Sequence, residues 1–139
     1  MKERFQYPAE IQQIPYIRND LKLLGDQWNI PSREFNQVCF IIEELFSNIV
    51  RYGYPDPDSH LVGVAIKMDP GAILIEISDD GVPFDPLQFR NVPSRDPAAA
   101  ASGGMGLSLV RTFADSMTYR RLDDMNHLEV AVKMNTVKQ

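Results

Sequence analysis

The sequence predicts an α+β fold in which helices cover one face of a mixed, mostly antiparallel sheet, giving a two-layer α/β sandwich. Two long segments of the first half carry apolar residues at helical spacing. Short alternating segments separated by turn residues follow, a pattern typical of paired strands. The chain has 139 residues and shows no internal repeat, so we expect one domain over residues 1–139.

The N-terminal half is predicted to hold a short strand and two helices. Residues 4–8 alternate in polarity, and Pro8 ends the segment. A first helix is expected over about 14–29, and a second over about 33–52 with Ser32 as its cap. The expected buried stripes consist of Ile17, Leu21, Leu24 and Trp28 in the first helix and of Val38, Ile41, Ile42, Leu45, Ile49 and Tyr52 in the second.

The C-terminal half is predicted to hold two strand pairs and a helix. Residues 61–68 and 72–78 alternate on either side of a hairpin turn signal at 69–71. A stretch rich in proline and alanine then runs to residue 102 without firm periodicity, and long irregular segments of this kind are usually functional. The remaining expected elements are a helix from about Gly104 and closing strands over 118–122 and 127–134, joined by a turn at 123–126.

The composition is that of an ordinary globular protein, with 44% hydrophobic and 24% charged residues. The net charge is −5, and the one dense basic pair, Arg120-Arg121, is followed closely by Asp123-Asp124, so we expect no direct nucleic-acid partner. No apolar stretch approaches the ~18 residues that span a bilayer, and the first residues lack a signal-peptide pattern. Cys39 has no second cysteine to pair with. We therefore expect a cytoplasmic protein with no membrane partner.

The second helix places a carboxylate and an amide side by side. Glu44 and Asn48 are four residues apart, which puts them only ~40° from each other on one flank of the apolar stripe. Glu43 points to the opposite side. The amide oxygen of Asn48 is able to ligate Mg²⁺, and the Glu44 carboxylate is able to take a proton from an attacking hydroxyl. Taken alone, the pair also fits a solvated helix face.

The predicted strand 72–78 leads into Asp79-Asp80-Gly81. A carboxylate at a strand end lies at the rim of the sheet, and a glycine two residues later lets the backbone approach a ligand closely. Because a carboxylate only accepts hydrogen bonds, Asp79 suits an exocyclic amine such as that of adenine. A type I turn capped by the aspartate is the alternative interpretation.

A glycine-rich segment, residues 102–106, precedes the third predicted helix. Glycines at a helix start leave unpaired N–H groups and a positive dipole end, which together favour an anion. No lysine follows these glycines, although a P-loop requires one. An irregular segment precedes them, whereas a Rossmann motif would directly follow a strand. The protein-kinase signature set is absent as well. A plain flexible hinge stays open as an alternative.

The order and spacing of these three segments are more specific than any one of them. Glu44-x-x-x-Asn48, then Asp79-x-Gly81, then a variable segment, then Gly104-x-Gly106 resembles the three boxes of the GHKL ATPase superfamily, which includes gyrase and histidine kinases. Within it, the chain most resembles the bacterial anti-sigma-factor serine/threonine kinases, short single-domain proteins of partner-switching systems. The likeness covers nearly the whole chain and includes Tyr7-Pro8-Ala9-Glu10, Arg18, Arg51-Tyr52-Gly53-Tyr54, Pro83-Phe84-Asp85-Pro86, and Gly104-Met105-Gly106-Leu107 through Arg120-Arg121.

The resemblance implies the histidine-kinase-like (Bergerat) ATPase fold, with ATP and Mg²⁺ bound between the second helix and the end of the Asp79 strand. It implies Glu44 as the general base and Asn48 as the Mg²⁺ ligand. It implies Asp79 as the adenine acceptor and a lid over about 87–103. The nucleotide-binding residues that the family pattern gives in this sequence are Asn48, Asp79, Gly81, Pro83, Phe84, Gly103, Gly104, Met105, Gly106 and Leu107.

The resemblance also implies an activity and partners. Its members transfer the γ-phosphoryl group of ATP to a serine of a small STAS-domain antagonist and bind a sigma factor, so they act as anti-sigma regulators. Homodimerisation through the N-terminal strand and first helix is implied by the family as well.

Two features of the sequence depart from the family pattern. Tyr52 stands where many relatives carry histidine, and residues 98–102 hold no basic residue before the glycines. Arg90 and Arg95 are then the candidates to approach the γ-phosphate. These departures leave an alternative open, namely a nucleotide-gated binding module with little or no kinase activity. A detached histidine-kinase catalytic domain is less favoured, because no dimerising phospho-acceptor helix pair is evident and His60 and His127 lie in predicted strand or loop positions.

Overall fold

The computed structural model describes residues 1–88 and 105–134. Within these ranges the chain forms five strands, three α-helices and two short 3-10 turns, Ile11–Gln13 and Pro86–Gln88. In chain order the helices and strands are β1 (Lys2–Pro8), α1 (Ile14–Trp28), α2 (Ser32–Tyr52), β2 (Leu61–Asp69), β3 (Ala72–Asp79), α3 (Met105–Phe113), β4 (Ser116–Leu122) and β5 (Met125–Lys133).

The five strands form one sheet in the order β1-β2-β3-β5-β4. Each of the four pairings between described strands is antiparallel. Strands β2 and β3 form one hairpin and β4 and β5 another, with β5 inserted between β3 and β4. The second hairpin turns at Asp123 and Asp124, whose φ angles of 52° and 60° are left-handed, as a two-residue hairpin turn requires. The predicted α+β class is confirmed.

The core lies between the helices and one face of the sheet. Alternate residues of β3 are buried because successive side chains point to opposite faces, and Ile73, Ile75 and Ile77 all face the helices. Helix α2 packs against β3 and β5. The same alternation buries Val62, Val64 and Ile66 of β2 and Leu128, Val130 and Val132 of β5.

The helix predictions are largely confirmed. All four residues of the expected α1 stripe are buried, as are Val38, Ile41, Ile42 and Leu45 of α2. Tyr52 was wrongly expected in the core: its side chain is 51% exposed, because it lies in the last turn of α2. The predicted Ser32 cap is also wrong, since Pro31 holds the extended N-cap position and Ser32 already belongs to the helix. Among the described residues, no helix has both the length and the apolar character to cross a membrane.

Candidate functional site

Asp79 ends β3 with a buried carboxylate. Its Oδ2 accepts hydrogen bonds from the backbone N–H of Gly81 (2.9 Å) and from Nδ2 of Asn126 (3.1 Å). Burial raises the pKa of Asp79, and the hydrogen bonds from Asn126 and Gly81 oppose that rise. One carboxylate oxygen is thereby fixed in place, which makes Oδ1 the candidate acceptor for a bound molecule.

Asn126 is a functional candidate that the sequence reasoning missed. It was expected in a turn, but it is the second residue of β5 and lies opposite Asp79 in the strand register. Its Nδ2 also donates to the carbonyl of Val82 (2.8 Å), and its Oδ1 accepts from the Tyr119 hydroxyl (2.5 Å) and from Phe84 N–H (3.4 Å). The available signal was a polar residue at an inward position of an alternating strand, in line with Leu128, Val130 and Val132.

Gly81 lies where the turn after β3 meets the end of α2. A Cβ atom on Gly81 would come within 2.5 Å of the Gly53 carbonyl oxygen and 2.8 Å of Asp79 Oδ2. The same Gly53 oxygen accepts a hydrogen bond from Val82 N–H (2.8 Å), and Arg121 donates to the Gly81 carbonyl (2.7 Å). Gly81 is therefore required for contact between two protein segments, besides any approach to a ligand.

A cavity lies between α2, the Asp79 turn and β5. The space inside it that a water-sized sphere can occupy is about 30 Å³, and the cavity is partly open to solvent. Its wall is mostly apolar, as is usual for small-molecule sites that carry a few polar groups for orientation. The residues that line it are Leu45, Asn48, Ile49, Tyr52, Gly53, Ile77, Asp79, Val82, Phe84, Pro86, Tyr119, Asn126 and Leu128.

Asn48 carries a buried group without a partner in this cavity. The residue is only 4% exposed, and its Nδ2 makes no hydrogen bond within the described ranges. An unsatisfied buried polar group costs about 1–3 kcal/mol. Rotation of the amide by 180° exchanges its nitrogen and oxygen, so the same position offers either a donor or an acceptor. The unmet donor makes Asn48 a candidate contact for a bound molecule.

Glu44 lies one helical turn before Asn48, facing the start of α3. A Cβ atom on Gly106 would overlap the Glu44 carboxylate, so these two residues are in direct contact. Burial raises the pKa of Glu44; nearby Arg51 opposes the rise and Glu43 adds to it. The first and third motifs of the sequence therefore meet in space, as do the first and second through Asn48 and Asp79 in the cavity wall.

Glu43 points away from this site, as the helical spacing predicts. Its carboxylate pairs with the guanidinium of Arg18 on α1, with nitrogen–oxygen distances of 2.7 and 2.8 Å. Glu43 and Glu44 thus lie in different surroundings, although they are adjacent in the chain.

The other predicted site residues lie in different surroundings. Phe84 is half-buried and lines the cavity, whereas Pro83 is exposed and does not. Leu107 packs in the core, which leaves only its backbone for a ligand, and Met105 begins α3.

Arg111 of α3 donates to the carbonyls of Pro86 (2.6 Å) and Leu87 (3.0 Å), fixing the chain just before residue 89. Gly103, Gly104, Arg90 and Arg95, and nearly all of the predicted lid 87–103, lie outside the described residues.

Comparison with known proteins gives consistent matches. The family described as histidine kinase-like ATPase domain matches residues 7–132. The serine/threonine-protein kinase BtrW of Bordetella bronchiseptica is 29% identical over 106 residues, which are 76% of this chain and 73% of that protein. The anti-sigma F factor of Clostridium perfringens strain ATCC 13124 is 24% identical over 138 residues, which are 97% of this chain and 98% of that protein. The anti-sigma F factor of strain SM101 is 23% identical over the same length.

Proposed function

The chain belongs to the histidine kinase-like ATPase domain family, and from that premise we propose that it is a Mg²⁺-dependent serine/threonine kinase that acts as an anti-sigma regulator. Membership confirms the resemblance inferred from the three motifs and implies ATP binding. The observation that carries the proposal is the cavity whose lining includes both Asp79 and Asn48, whose buried Nδ2 has no partner among the described residues.

The residues that line the cavity suit the adenine end of ATP. The apolar walls, including Ile77 and Leu128, match the faces of a flat aromatic ring. Oδ1 of Asp79 is the proposed acceptor of a hydrogen bond from the exocyclic amine, because Asn126 and Gly81 donate to the other oxygen. An adenine analogue without that amine would leave a buried acceptor unpaired, which supports discrimination for adenine.

The donor set suits Mg²⁺ held mainly by nucleotide phosphates. Mg²⁺ prefers oxygen ligands and is commonly bound through one or two protein groups plus phosphates and water. The oxygen of Asn48 is such a group, once its amide is rotated. Among residues 1–88 and 105–134, no cluster of three His, Cys, Asp or Glu side chains is arranged to hold a metal by itself. When bound, the ion would neutralise charge on the phosphates.

Glu44 is the proposed general base. Its raised pKa makes it a better proton acceptor than an ordinary glutamate, and its contact with Gly106 puts it at the helix start where phosphates are expected. In the proposed transfer, a serine oxygen bonds to the γ-phosphorus while the bond to the bridging oxygen breaks. ADP leaves with that electron pair, and the hydroxyl proton moves to the Glu44 carboxylate. Gly103, Gly104, Arg90, Arg95 and the lid 87–103 complete the phosphate end of the proposal.

The proposed partners are a STAS-domain antagonist, as the substrate, and a sigma factor or similar regulator. The names of the relatives support this pairing, because one is a serine/threonine-protein kinase and others are anti-sigma F factors. We propose a homodimer as the working form and a cytoplasmic location, since both partners would act on transcription there.

Phosphate transfer to a purified STAS-domain partner tests the kinase. Radiolabelled Mg·ATP should label a serine of that partner with the wild-type chain. Glu44→Gln should abolish labelling while ATP still binds by calorimetry, and Asn48→Ala should weaken both. Glu43→Gln is the matched control, since that carboxylate pairs with Arg18 on the other side of α2. A chain that binds no adenine nucleotide would overturn the proposal at its centre.

The alternative, a nucleotide-gated binding module, is favoured by one sequence observation. Residues 98–102 read Ala-Ala-Ala-Ala-Ser, so no cation precedes the glycines to help stabilise the transferring phosphoryl group. This function requires only that nucleotide shifts the chain between states with different partner affinity. It predicts no labelling of any partner by the wild-type chain, together with nucleotide-dependent partner binding that Glu44→Gln leaves intact.

A further inference from the structure

His60 lies between two carboxylates that belong to different segments. Its side chain is 15% exposed. Nε2 is 2.7 Å from Oδ1 of Asp56, and Nδ1 is 3.1 and 3.3 Å from the two oxygens of Asp80. A neutral imidazole has one N–H donor and one lone pair, whereas the imidazolium has two donors. Only the protonated ring donates to both carboxylates at once.

The ring is held in this orientation by its neighbours. It stacks on Tyr54 with a centroid separation of 4.0 Å and an angle of 11° between planes. Asp56 is fixed in turn by a hydrogen bond from the backbone of Asp58 (2.9 Å), and the His60 carbonyl accepts one from Ala9 N–H (2.9 Å). The titratable groups that face His60 are therefore Asp56 and Tyr54 from its own loop and Asp80 from the turn after β3. From the segment after β1, the contact with His60 is made by the backbone N–H of Ala9, which is not titratable.

This arrangement connects the loop after α2 to the turn that carries Asp79. At one end of the loop, the Gly53 carbonyl accepts the hydrogen bond from Val82. At the other end, His60 binds Asp80, the residue next to Asp79. The loop 53–60 thus holds the turn at two positions, Asp80 and Val82, which both follow the proposed adenine acceptor closely in the chain.

We propose that protonated His60 is a positioning residue that fastens the Asp79 turn, so that nucleotide affinity falls when the imidazolium loses its proton. This inference rests on the proposed function, because it takes Asp79 as a nucleotide contact. His60 touches no ligand itself and acts through Asp80.

The direction of the pH dependence follows from the two carboxylates. The hydrogen bond to Asp56, together with the charges of Asp56 and Asp80, raises the pKa of His60. Below that pKa the ring bridges the loop and the turn; above it, one carboxylate faces a lone pair. By thermodynamic linkage, the factor by which protonation tightens nucleotide binding equals the factor by which bound nucleotide lowers the acid dissociation constant of His60, which raises its pKa. A shift of about half a pKa unit corresponds to about a threefold change in affinity.

Calorimetry of Mg·ATP binding from about pH 5.5 to about pH 8.5 tests this dependence across the range in which histidine titrates. The comparison is between the wild-type chain and His60→Gln, whose side chain does not ionise. The ratio of their dissociation constants cancels the titration of the phosphates themselves. We expect the variant to bind about threefold more weakly at low pH and about equally at high pH. His127→Gln is the control, since His127 lies on the outer sheet face near Glu76.

A titration of the wild-type chain by NMR keeps the test independent of the variant's folding. The His60 ring signals should report a pKa about half a unit higher with ADP bound than without it. A flat affinity ratio together with an unchanged His60 pKa overturns this inference while leaving ATP binding in place. Failure to bind ATP at every pH overturns the proposed function, and this inference with it.

Discussion

Asn126 donates a hydrogen bond from Nδ2 to Oδ2 of Asp79 across 3.1 Å, and both residues are buried at the same end of the sheet. They are 47 residues apart in the chain and are brought together by the register of β3 and β5. Asn126 binds the Val82 carbonyl as well. A single amide thus holds both the carboxylate and the turn that follows it, which makes Asn126 a structural support of the proposed adenine site.

Replacement of Asn126 should therefore weaken nucleotide binding. Asn126→Leu keeps a similar volume but leaves Asp79 Oδ2 with the Gly81 amide as its one described donor, so we expect about a tenfold loss of ATP affinity, or about 1.4 kcal/mol. Tyr119→Phe removes only the hydroxyl that donates to Asn126 and should have a smaller effect. Calorimetry at neutral pH measures both. Wild-type affinity in Asn126→Leu would contradict the supporting role.

Much of the fold follows from local patterns. Ile73, Ile75 and Ile77 alternate because one face of β3 is buried, and the α1 stripe repeats because one side of that helix packs against the core. These signals depend on each segment's own residues and its immediate surroundings. They locate elements and faces without knowledge of which strand pairs with which.

The missed features depend on distant partners. The role of Asn126 follows from a strand pairing that periodicity does not specify, and the contact of Gly81 with Gly53 follows from where α2 ends relative to β3. Tyr52 continues the apolar period of its helix, yet lies in the last turn and at the cavity, where burial is no longer imposed. The motif positions could be read from the sequence; the residues that orient them could not.

The contact between Gly106 and Glu44 gives a second prediction. In Gly106→Ala the new methyl group would displace the Glu44 carboxylate, which is the end of a flexible side chain, so the fold should persist. Alanine also favours the helix by about 1 kcal/mol over glycine. We expect unfolding by urea to be unchanged or later, while transfer of phosphate to the partner falls about tenfold or more because the base is misplaced.

Two controls make the Gly106→Ala result specific. Gly71→Ala introduces the same methyl group where no atom lies within 4 Å, and it should leave transfer unchanged. In the Glu44→Gln background, adding Gly106→Ala should cause little further loss, since both changes act on one carboxylate. Independent, additive losses in the double variant would mean that Gly106 acts by another route.

The His60 cluster predicts how stability depends on pH. Because the folded-state pKa of His60 is raised, its contribution is complete below the unfolded value of about 6.5 and is lost as pH rises through the folded pKa. The hydrogen bond from His60 lowers the pKa of Asp56, so its contribution is present above the unfolded value and is lost as pH falls through the folded one. The free energies of unfolding of wild type and His60→Gln, measured in urea, should therefore differ most between the unfolded pKa of Asp56 and the unfolded pKa of His60. They should converge at alkaline pH. A difference that stays constant across that range would show that the His60 charge is not involved.

Asp79→Asn should separate stability from function. Burial raises the pKa of Asp79, so folding disfavours its ionised form, and this residue makes stability fall as pH rises from its unfolded pKa through its folded pKa. Asparagine is not ionised and still offers an acceptor oxygen to the Gly81 and Asn126 donors. We expect the variant to lose that fall in stability while ATP affinity drops at least tenfold, because its amide has only one acceptor atom where the carboxylate has two. Urea unfolding between about pH 4 and about pH 8 and calorimetry with ATP measure the two effects. A variant that binds ATP as tightly as wild type would remove Asp79 from the adenine site. The urea measurement would then show whether burial of the Asp79 carboxylate by itself accounts for its effect on stability.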